Sequence, residues 1–318
     1  MKPPYTLTSG ILHQVAAVSE KLGQLQGSRL QLPRAELRKS NRIKTIQSSL
    51  AIEGNTLNLD QVTALLENKR VRAPQKDIAE VKNAIAVYGQ LEQWQPYSLR
   101  SFLRAHALFM KDLLSSAGKF RSSAVGVAKG NQLTHIAPPA HRVRSLMQDL
   151  FSYARYDKDP LLIKSCVFHY ELEFIHPFTD GNGRMGRLWQ TVLLMQYNPL
   201  FAYLPVESII KDRQSDYYQA LQASDKSGQA TPFIEFMLAA VSEALTLQLK
   251  EQAGPLRAAD RIELFRRVAG TATFSRKMYL DYHRSISPAT ASRDLHDAVV
   301  NNILSMSGDK RNATYMFR

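Results

Sequence analysis

HPFTDGNGRMGR, residues His176–Arg187, is the most informative stretch of this 318-residue sequence. Gly181 and Gly183 let the backbone come close to a ligand and adopt positive φ angles. A helical pattern follows directly, so we expect a loop that runs into the N-terminus of a helix. The free N–H groups and the dipole at such a helix start favour an anion.

The charged side chains of this stretch suit a nucleotide polyphosphate. Arg184 and Arg187 are three residues apart and project from neighbouring positions on one helix face, where two guanidinium groups can form forked hydrogen bonds to phosphate. Asp180 supplies a hard oxygen ligand for Mg²⁺, and Asn182 can donate its amide to a phosphate oxygen. His176 is the only group here that can accept a proton near neutral pH.

Phe178 lies between these polar residues, and we expect it to point inward as an anchor. Each feature has an ordinary alternative: His176-Pro177 as a helix stop, Asp180-Gly181 as a turn, and the two arginines as a solvated helix face. These alternatives explain the complete set poorly, so we interpret the stretch as a nucleotide site.

The stretch matches every specified position of the signature His-x-Phe-x-Asp-Gly-Asn-Gly-Arg-x-x-Arg, and the chain therefore resembles the Fic family. The resemblance implies an adenylyltransferase that moves AMP from ATP to a Ser, Thr or Tyr hydroxyl of a target protein. His176 would be the general base, and Asp180 would hold Mg²⁺ against the α- and β-phosphates. The residues implied in phosphate binding are Gly181, Asn182, Gly183, Arg184, Gly186 and Arg187. Some relatives use other phosphate donors, but the arginine pair favours ATP.

A change of pattern upstream predicts a short β-hairpin. No helical period runs through residues 121–136, where apolar residues lie around Gly130 and Asn131. In the family such a hairpin is a flap that overhangs the active site and binds the target segment by strand addition; the alternative is a structural hairpin. Three residues are expected to be structural rather than catalytic: His106, His135 and Cys166.

Residues 49–55, SLAIEGN, match the family's inhibitory motif (Ser/Thr)-x-x-x-Glu-(Gly/Asn). The resemblance implies that Glu53 pairs with Arg187 and leaves ATP misplaced for in-line attack, with Ser49 orienting the carboxylate. The alternative is a solvated glutamate at a helix end, although the helix dipole disfavours a carboxylate there. In some family members the same glutamate positions a water that removes AMP, so a deAMPylase or a bifunctional enzyme stays open.

Most of the remaining sequence reads as helix, because apolar residues recur at three- and four-residue steps. The predicted fold is mainly α, a Fic-type helical bundle with a small β-hairpin flap and a C-terminal winged helix-turn-helix. Three regions are expected, with a boundary near Gly254-Pro255: an N-terminal helical region with the inhibitory helix at 1–95, a Fic catalytic domain at 96–252, and a winged-helix-like unit at 253–318.

The C-terminal unit is predicted from its own pattern. A helix at 261–268 precedes one at 274–282, whose inward residues would be Phe274, Met278 and Tyr282. A further helix starts at Ser287-Pro288 and continues its apolar side through Val299, Val300, Ile303 and Leu304. A basic turn at 308–312 would then form the wing, before a strand at 314–317, and this order resembles a winged helix-turn-helix.

In a DNA-binding winged helix the second helix of the motif enters the major groove. The residues implied in DNA contact are Thr290, Ser292 and Arg293 at the groove, with Lys310 and Arg311 at backbone phosphate. Asp294 and Asp297 dilute the charge of that helix, and such units also serve protein docking or dimerisation. An operator-binding regulator is therefore an alternative function, and a toxin is a third one, disfavoured because Fic toxins tend to be compact.

Composition limits the remaining classes. The formal net charge of +13 favours acidic partners such as nucleotides or nucleic acid. No run of about 20 apolar residues is evident, and the N-terminus lacks a secretory pattern. The single cysteine, Cys166, permits no internal disulfide. We expect a cytoplasmic protein without membrane contact, with ATP and a target protein as partners, and with self-modification and a homodimer as further possibilities.

Overall fold

The computed structural model describes residues 4–27, 35–124, 126–129, 132–252, 256–309 and 312–318. Its contacts divide the chain into two compact units. The first ends at Leu249, and the second starts at Lys250 and includes residues 25–27. The predicted boundary residues Gly254 and Pro255 lie outside the described set, and the division of the first unit at residue 95 stays a prediction.

The first unit is helical apart from one hairpin. Its helices are α1 (Ser9–Gly27), α2 (Ala35–Ile52), α3 (Leu59–Leu66), α4 (Gln75–Tyr88), α5 (Leu99–Phe109), α6 (Ala140–Tyr156), α7 (Leu161–Ile175), α8 (Asn182–Tyr197), α9 (Val206–Asp212), α10 (Gln214–Ser227) and α11 (Thr231–Gln252). Strands β1 (Gly126–Lys129) and β2 (Gln132–Ile136) pair antiparallel in the predicted hairpin. The sequence did not predict α9, because seven residues carry less than two turns of periodicity.

The buried helices α7 and α8 form the centre of this unit. Residues 162–170 of α7 are all buried, so this helix has no polar face and its sequence shows no amphipathic stripe. Gly186 on α8 lets this helix pack closely against α7, because a Cβ atom at Gly186 would lie 2.5 Å from Cδ2 of His169. Cys166 is fully buried between them, as expected, and burial raises the pKa of its thiol to about 12.

One helix in the described ranges is long and apolar enough to cross a membrane, the segment Thr231–Glu251 of α11. The sequence analysis expected no such segment. However, 61% of its apolar window is buried inside the protein. Phe233, Ile234 and Met237 are fully buried, so this segment packs as a core helix.

Residues 256–309 and 312–318 of the second unit form three helices and a three-stranded sheet. Its elements are α12 (Ala258–Ala269), β3 (Phe274–Ser275), α13 (Arg276–Tyr282), α14 (Pro288–Val300), β4 (Leu304–Ser307) and β5 (Thr314–Phe317). The antiparallel sheet has the order β3-β5-β4. The helices and the strand β5 follow in the predicted order, and β3 and β4 were not predicted.

The packing of α13 and the end of α14 correct the sequence prediction. Ser275 caps α13 by accepting a hydrogen bond from the Met278 N–H, so the helix begins only after Phe274, which lies in β3. The inward residue of α13 is the fully buried Tyr279, whereas Met278 and Tyr282 are 52% and 44% exposed. At the end of α14, Val300 and Ile303 are exposed rather than inward, and the buried Leu304 belongs to β4.

Asp294 is also placed differently from the prediction. Its carboxylate is buried and accepts two hydrogen bonds from Arg261, at 2.6 Å from Nε and 2.8 Å from Nη2. The Tyr279 hydroxyl donates a third at 3.1 Å. Asp294 is therefore a paired core residue, and its charge does not lie on the exposed face of α14.

Candidate active site

The stretch from His176 to Arg187 forms the predicted loop and helix start. His176 ends α7 in the left-handed conformation, with φ 49° and ψ 61°, which is uncommon for a residue other than glycine. Gly181 is the N-cap of α8 with φ 87°, and a Cβ atom there would lie 2.9 Å from Sδ of Met110. Position 181 therefore needs glycine, because of its positive φ angle and because a side chain would not fit there.

Arg121 fixes the loop from a distant part of the chain. Its Nε donates to the His176 carbonyl at 2.7 Å, its Nη2 donates to the Ile175 carbonyl at 3.2 Å, and its backbone N–H donates to the Pro177 carbonyl at 2.9 Å. The sequence analysis assigned Arg121 no role. Its buried cation satisfies carbonyls at the end of α7 and holds the turn that presents His176.

Phe178 and His106 stack on each other and pack against the buried side of the loop. Phe178 is fully buried, as predicted, and stacks on the His106 ring with centroids 3.5 Å apart. Nδ1 of His106 accepts a hydrogen bond from the Gly118 N–H at 2.8 Å, so its Nε2 is the donor to the Asp180 carbonyl at 3.0 Å. Burial lowers the pKa of His106 to about 4, which fits the expected structural role of a neutral ring.

The His176 ring lines a cavity next to this loop. Its Nδ1 lies 3.4 Å from the Glu173 carbonyl oxygen. An oxygen acceptor at that distance favours the tautomer with the proton on Nδ1, which places the proton-accepting lone pair on Nε2. The arrangement suits a general base.

Arg187 pairs with Glu53 across the cavity. Nη2 of Arg187 donates to Glu53 Oε1 at 2.7 Å and to the Ser49 carbonyl at 2.9 Å. Burial alone would lower the pKa of Arg187, but the Glu53 carboxylate more than offsets this and the pKa is raised overall. Gly183 leaves room for the Glu53 carboxylate beside Arg187, because a Cβ atom at Gly183 would collide with Glu53 Oε1.

Ser49 contacts the arginine, whereas the sequence analysis expected it to orient the carboxylate. Its hydroxyl accepts a hydrogen bond from Nε of Arg187 at 3.1 Å. One turn at the end of α2 thus supplies three acceptors to a single guanidinium group that is 1% exposed.

Comparison with known proteins agrees with this geometry. The Fic/DOC family model matches residues 96–194. A Fic family protein from Desulfovibrio desulfuricans, known from a crystal structure, is 40% identical with a TM-score of 0.77, covering 100% of this chain and 98% of that one.

The chain belongs to the Fic family.

Curated relatives carry a functional name. The protein adenylyltransferase Fic of Nematostella vectensis is 29% identical over 247 residues, which are 73% of this chain and 54% of the relative. The protein adenylyltransferase fic-1 of Caenorhabditis briggsae is 32% identical over 206 residues, 60% of this chain and 38% of the relative. The chain thus spans about half or less of these relatives. Fic-1 (aa134–508) of C. elegans is 20% identical with a TM-score of 0.63 and shows likeness in fold alone.

Two residues predicted to bind phosphate make contacts within this Fic protein. The Asn182 side chain is buried, with Oδ1 accepting from the Phe178 N–H and Nδ2 donating to the Phe178 carbonyl, both at 2.9 Å. It closes the loop on itself, and only the backbone of Asn182 is suited to meet a phosphate. Gly186 faces His169 and Glu173 of α7, where it serves helix packing.

Arg184 is held away from the cavity by two carboxylates. Its Nη1 lies 3.1 Å from Glu80 Oε1 and its Nη2 lies 2.9 Å from Asp180 Oδ1, and its side chain is 3% exposed. The sequence analysis did not identify Glu80, which is 104 residues away along the chain. In this arrangement Arg184 positions Asp180, and its predicted phosphate contact would require it to leave these partners.

The cavity extends from the loop to helix α10 and has a volume of about 440 Å³. Its lining residues are Glu53, Tyr170, Glu173, Phe174, His176, Thr179–Gly183, Arg187, Tyr217–Gln219, Leu221, Gln222 and Asp225. The residues from α10 were missed, although the tyrosine pair at 217–218 starts a predicted helix. Aromatic and aliphatic side chains at this end suit a nucleobase, opposite the polar end that suits phosphates.

A buried hydrogen-bond network supports that wall. The Tyr217 hydroxyl lies 3.2 Å from Nε2 of His169, and Nδ1 of His169 lies 2.7 Å from Oε1 of Gln190. Because the amide oxygen can only accept, Nδ1 carries the proton and Nε2 accepts from the tyrosine. Burial lowers the pKa of His169 to about 3, so the ring stays neutral.

Within the described residues, no group of three or more His, Cys, Asp or Glu side chains could hold a metal ion alone. Asp180 lines the cavity with a carboxylate that is 54% exposed. Mg²⁺ binds nucleotide sites through one or two carboxylates together with phosphate oxygens and water. The single exposed Asp180 carboxylate therefore fits Mg²⁺ that arrives with a nucleotide.

Proposed function

We propose that this Fic protein is an Mg²⁺-dependent protein adenylyltransferase that transfers AMP from ATP to a hydroxyl side chain of a target protein, and that Glu53 restrains it. The observation that carries the proposal is the single cavity that joins His176, Asp180, the start of α8 and Arg187. The functional names of the relatives in N. vectensis and C. briggsae support it.

In this reaction the target hydroxyl oxygen attacks the α-phosphorus of ATP. Nε2 of His176 accepts the hydroxyl proton, the bond between the α-phosphorus and its bridging oxygen breaks, and pyrophosphate leaves. Positioning and charge stabilisation supply most of the rate enhancement in phosphoryl-type transfers.

The other residues bind the nucleotide. The backbone N–H groups of residues 182 and 183 at the start of α8 would bind the phosphates, because the Gly181 N–H already donates to Asp180 Oδ1. Arg187 would bind the terminal phosphate. Asp180 would hold Mg²⁺, which neutralises developing charge on the phosphates when it is bound. The α10 wall around Tyr217 would receive the base.

Glu53 would restrain the reaction because α2 occupies the Nε and Nη2 groups of Arg187. Nε and Nη2 of Arg187 already donate to Ser49 and Glu53, so a γ-phosphate must compete with a carboxylate for the same cation. We infer that ATP bound beside this pair has its phosphates displaced from in-line geometry.

Mass spectrometry of the products tests the reaction. Glu53→Gly protein incubated with Mg-ATP and bacterial extract is expected to yield peptides bearing AMP on Ser, Thr or Tyr, and Glu53→Gly/His176→Ala protein none. Phosphate instead of AMP on the peptides, or equal AMP in both samples, would overturn the proposal.

Removal of AMP is a second candidate, favoured by one observation. Glu53 lines the cavity with a side chain that is 29% exposed, so its carboxylate could orient an attacking water. If the chain removes AMP, wild-type protein releases AMP from a modified target and Glu53→Gly loses that activity. If the chain only adds AMP, neither protein releases it.

A further inference from the structure

We propose that the second unit is a duplex-DNA-binding module, whose contact surface is the exposed face of α14 together with the first residues of α13. The proposal is independent of AMP transfer, because it rests on Lys250–Arg318 alone. The sequence analysis raised DNA contact as an alternative and counted the acids of α14 against it; the structure changes that balance.

Asp294 does not add negative charge to the exposed face of α14. Its buried carboxylate is paired with Arg261 and Tyr279, so it does not repel a polyanion at the surface. The exposed charged residues of α14 are Arg293 and Asp297, with His296 beside them. In the described part of the chain Arg293 makes no hydrogen bond or ion pair.

Helix α13 adds two exposed cations to the helix-turn-helix. Arg276 and Lys277, in the first turn of α13, are both exposed. Nη1 of Arg276 donates to the Ser292 hydroxyl at 2.9 Å, which ties the start of α13 to the face of α14 that carries Arg293. Exposed cations therefore lie on both helices of the helix-turn-helix, which are in contact through Arg276 and Ser292.

The charge balance of the motif favours a polyanion. Four exposed cations, Arg276, Lys277, Arg284 and Arg293, oppose the exposed carboxylates Asp281 and Asp297. Two of the five residues predicted to touch DNA, Lys310 and Arg311, lie outside the described residues and are not needed for this argument.

The shape of the surface selects duplex DNA among polyanions. The side of α14 that carries Ala291, Leu295 and Ala298 is buried in the unit's core, and the opposite side is exposed along the helix. A helix presented this way fits the major groove of B-DNA, which is about 12 Å wide. The major groove of duplex RNA is deep and narrow and does not admit it.

Thr290 and Ser292 have a more limited role than predicted. The Thr290 hydroxyl lies 3.0 Å from that of Ser287, and the Ser292 hydroxyl donates to the Pro288 carbonyl at 3.0 Å. Both hydroxyls therefore serve the start of α14. We assign the contact to Arg293, Arg276 and Lys277.

The test is fluorescence anisotropy of a labelled 25-base-pair DNA duplex of mixed sequence (about two turns) with the full chain, at several salt concentrations. Wild-type protein is expected to bind with micromolar affinity that falls steeply with salt. Arg293→Gln and Arg276→Gln should each weaken binding about tenfold and reduce the salt slope by about one.

The matched control is Arg267→Gln, which removes one exposed cation from α12, outside the helix-turn-helix. Circular dichroism confirms that each variant is folded. Binding lost in the α13 and α14 variants and kept in Arg267→Gln supports the proposal. No binding by wild-type protein, equal loss in all three variants, or equal competition by duplex RNA would each overturn it.

Discussion

Replacement of Glu53 by glycine removes the carboxylate that competes with ATP for Arg187. The structure loses one charge-assisted hydrogen bond of 2.7 Å, while both contacts of Arg187 with Ser49 remain. The expected result is faster AMP transfer at saturating Mg-ATP, because Arg187 then turns to the γ-phosphate without displacing an anion.

The size of the effect follows from the burial of the pair. A hydrogen bond between charged groups contributes about 1.5–3 kcal/mol, and the upper part of this range applies because Arg187 is 1% exposed. Loss of about 2–3 kcal/mol of Glu53–Arg187 interaction energy raises the population in which Arg187 can bind the γ-phosphate by about 30- to 150-fold. Glu53→Gln keeps a hydrogen bond of about 1 kcal/mol from the Arg187 cation to a neutral amide, so its rise should be about 5- to 30-fold.

The assay measures initial rates of acid-precipitable label from α-labelled ATP, with extract protein as the acceptor. Glu67→Gln is the matched control, since it removes a carboxylate whose partners are the exposed Lys39 and Lys69. This control should match wild type. An unchanged or lower rate in folded Glu53→Gly, or the same rise in Glu67→Gln, would refute the reasoning.

Three further predictions concern stability. Gly186→Ala forces a methyl group to within 2.5 Å of His169, so urea denaturation should show a loss of about 1–3 kcal/mol; an unchanged midpoint would mean that α7 and α8 can separate freely. His106 is held neutral with a pKa of about 4 when folded, below its unfolded value near 6.5, so the folded state binds fewer protons and stability should fall by up to about 3 kcal/mol as pH drops from 6.5 to 4. His106→Gln should show a shallower pH slope in the same denaturation series, and an identical slope would contradict the assignment. Asp294→Ala removes the buried carboxylate that pairs with Arg261, whose side chain is 12% exposed, and should destabilise the second unit by about 3 kcal/mol in thermal unfolding. Asp297→Ala at an exposed position should change the stability little.

The sequence predicted the loop and the helix start because the residue types and their spacing are specific. The Glu53–Arg187 pair was implied by the resemblance of residues 49–55 to the family's inhibitory motif. It did not predict which atoms face the ligand. Residues 184–190 of α8 are buried throughout, so periodicity could not tell that Gly186 faces α7 or that Arg184 faces Glu80. The Asn182 side chain has donor and acceptor groups that can bind either a phosphate or a backbone peptide group. In the structure they form hydrogen bonds with the N–H and carbonyl of Phe178.

Sequence periodicity does not predict contacts between residues that are far apart in the chain. Arg121 reaches the His176 carbonyl across 55 residues, and no local pattern marks it as a loop clamp. In the C-terminal unit, the inward residues of α13 were predicted wrongly. This helix has only seven residues and starts after its cap at Ser275, so Tyr279 rather than Met278 is buried. Its helix order was predictable because Ser287 and Pro288 mark the start of α14.

The most direct test of the central claim compares α-labelled with γ-labelled ATP as donor to protein, using Glu53→Gly and Glu53→Gly/His176→Ala. The account predicts that α-label becomes attached to protein with the single variant, that γ-label does not, and that the double variant transfers neither. Transfer of γ-label, or undiminished transfer of α-label after the loss of His176, would contradict an AMP transferase that uses His176 as its base.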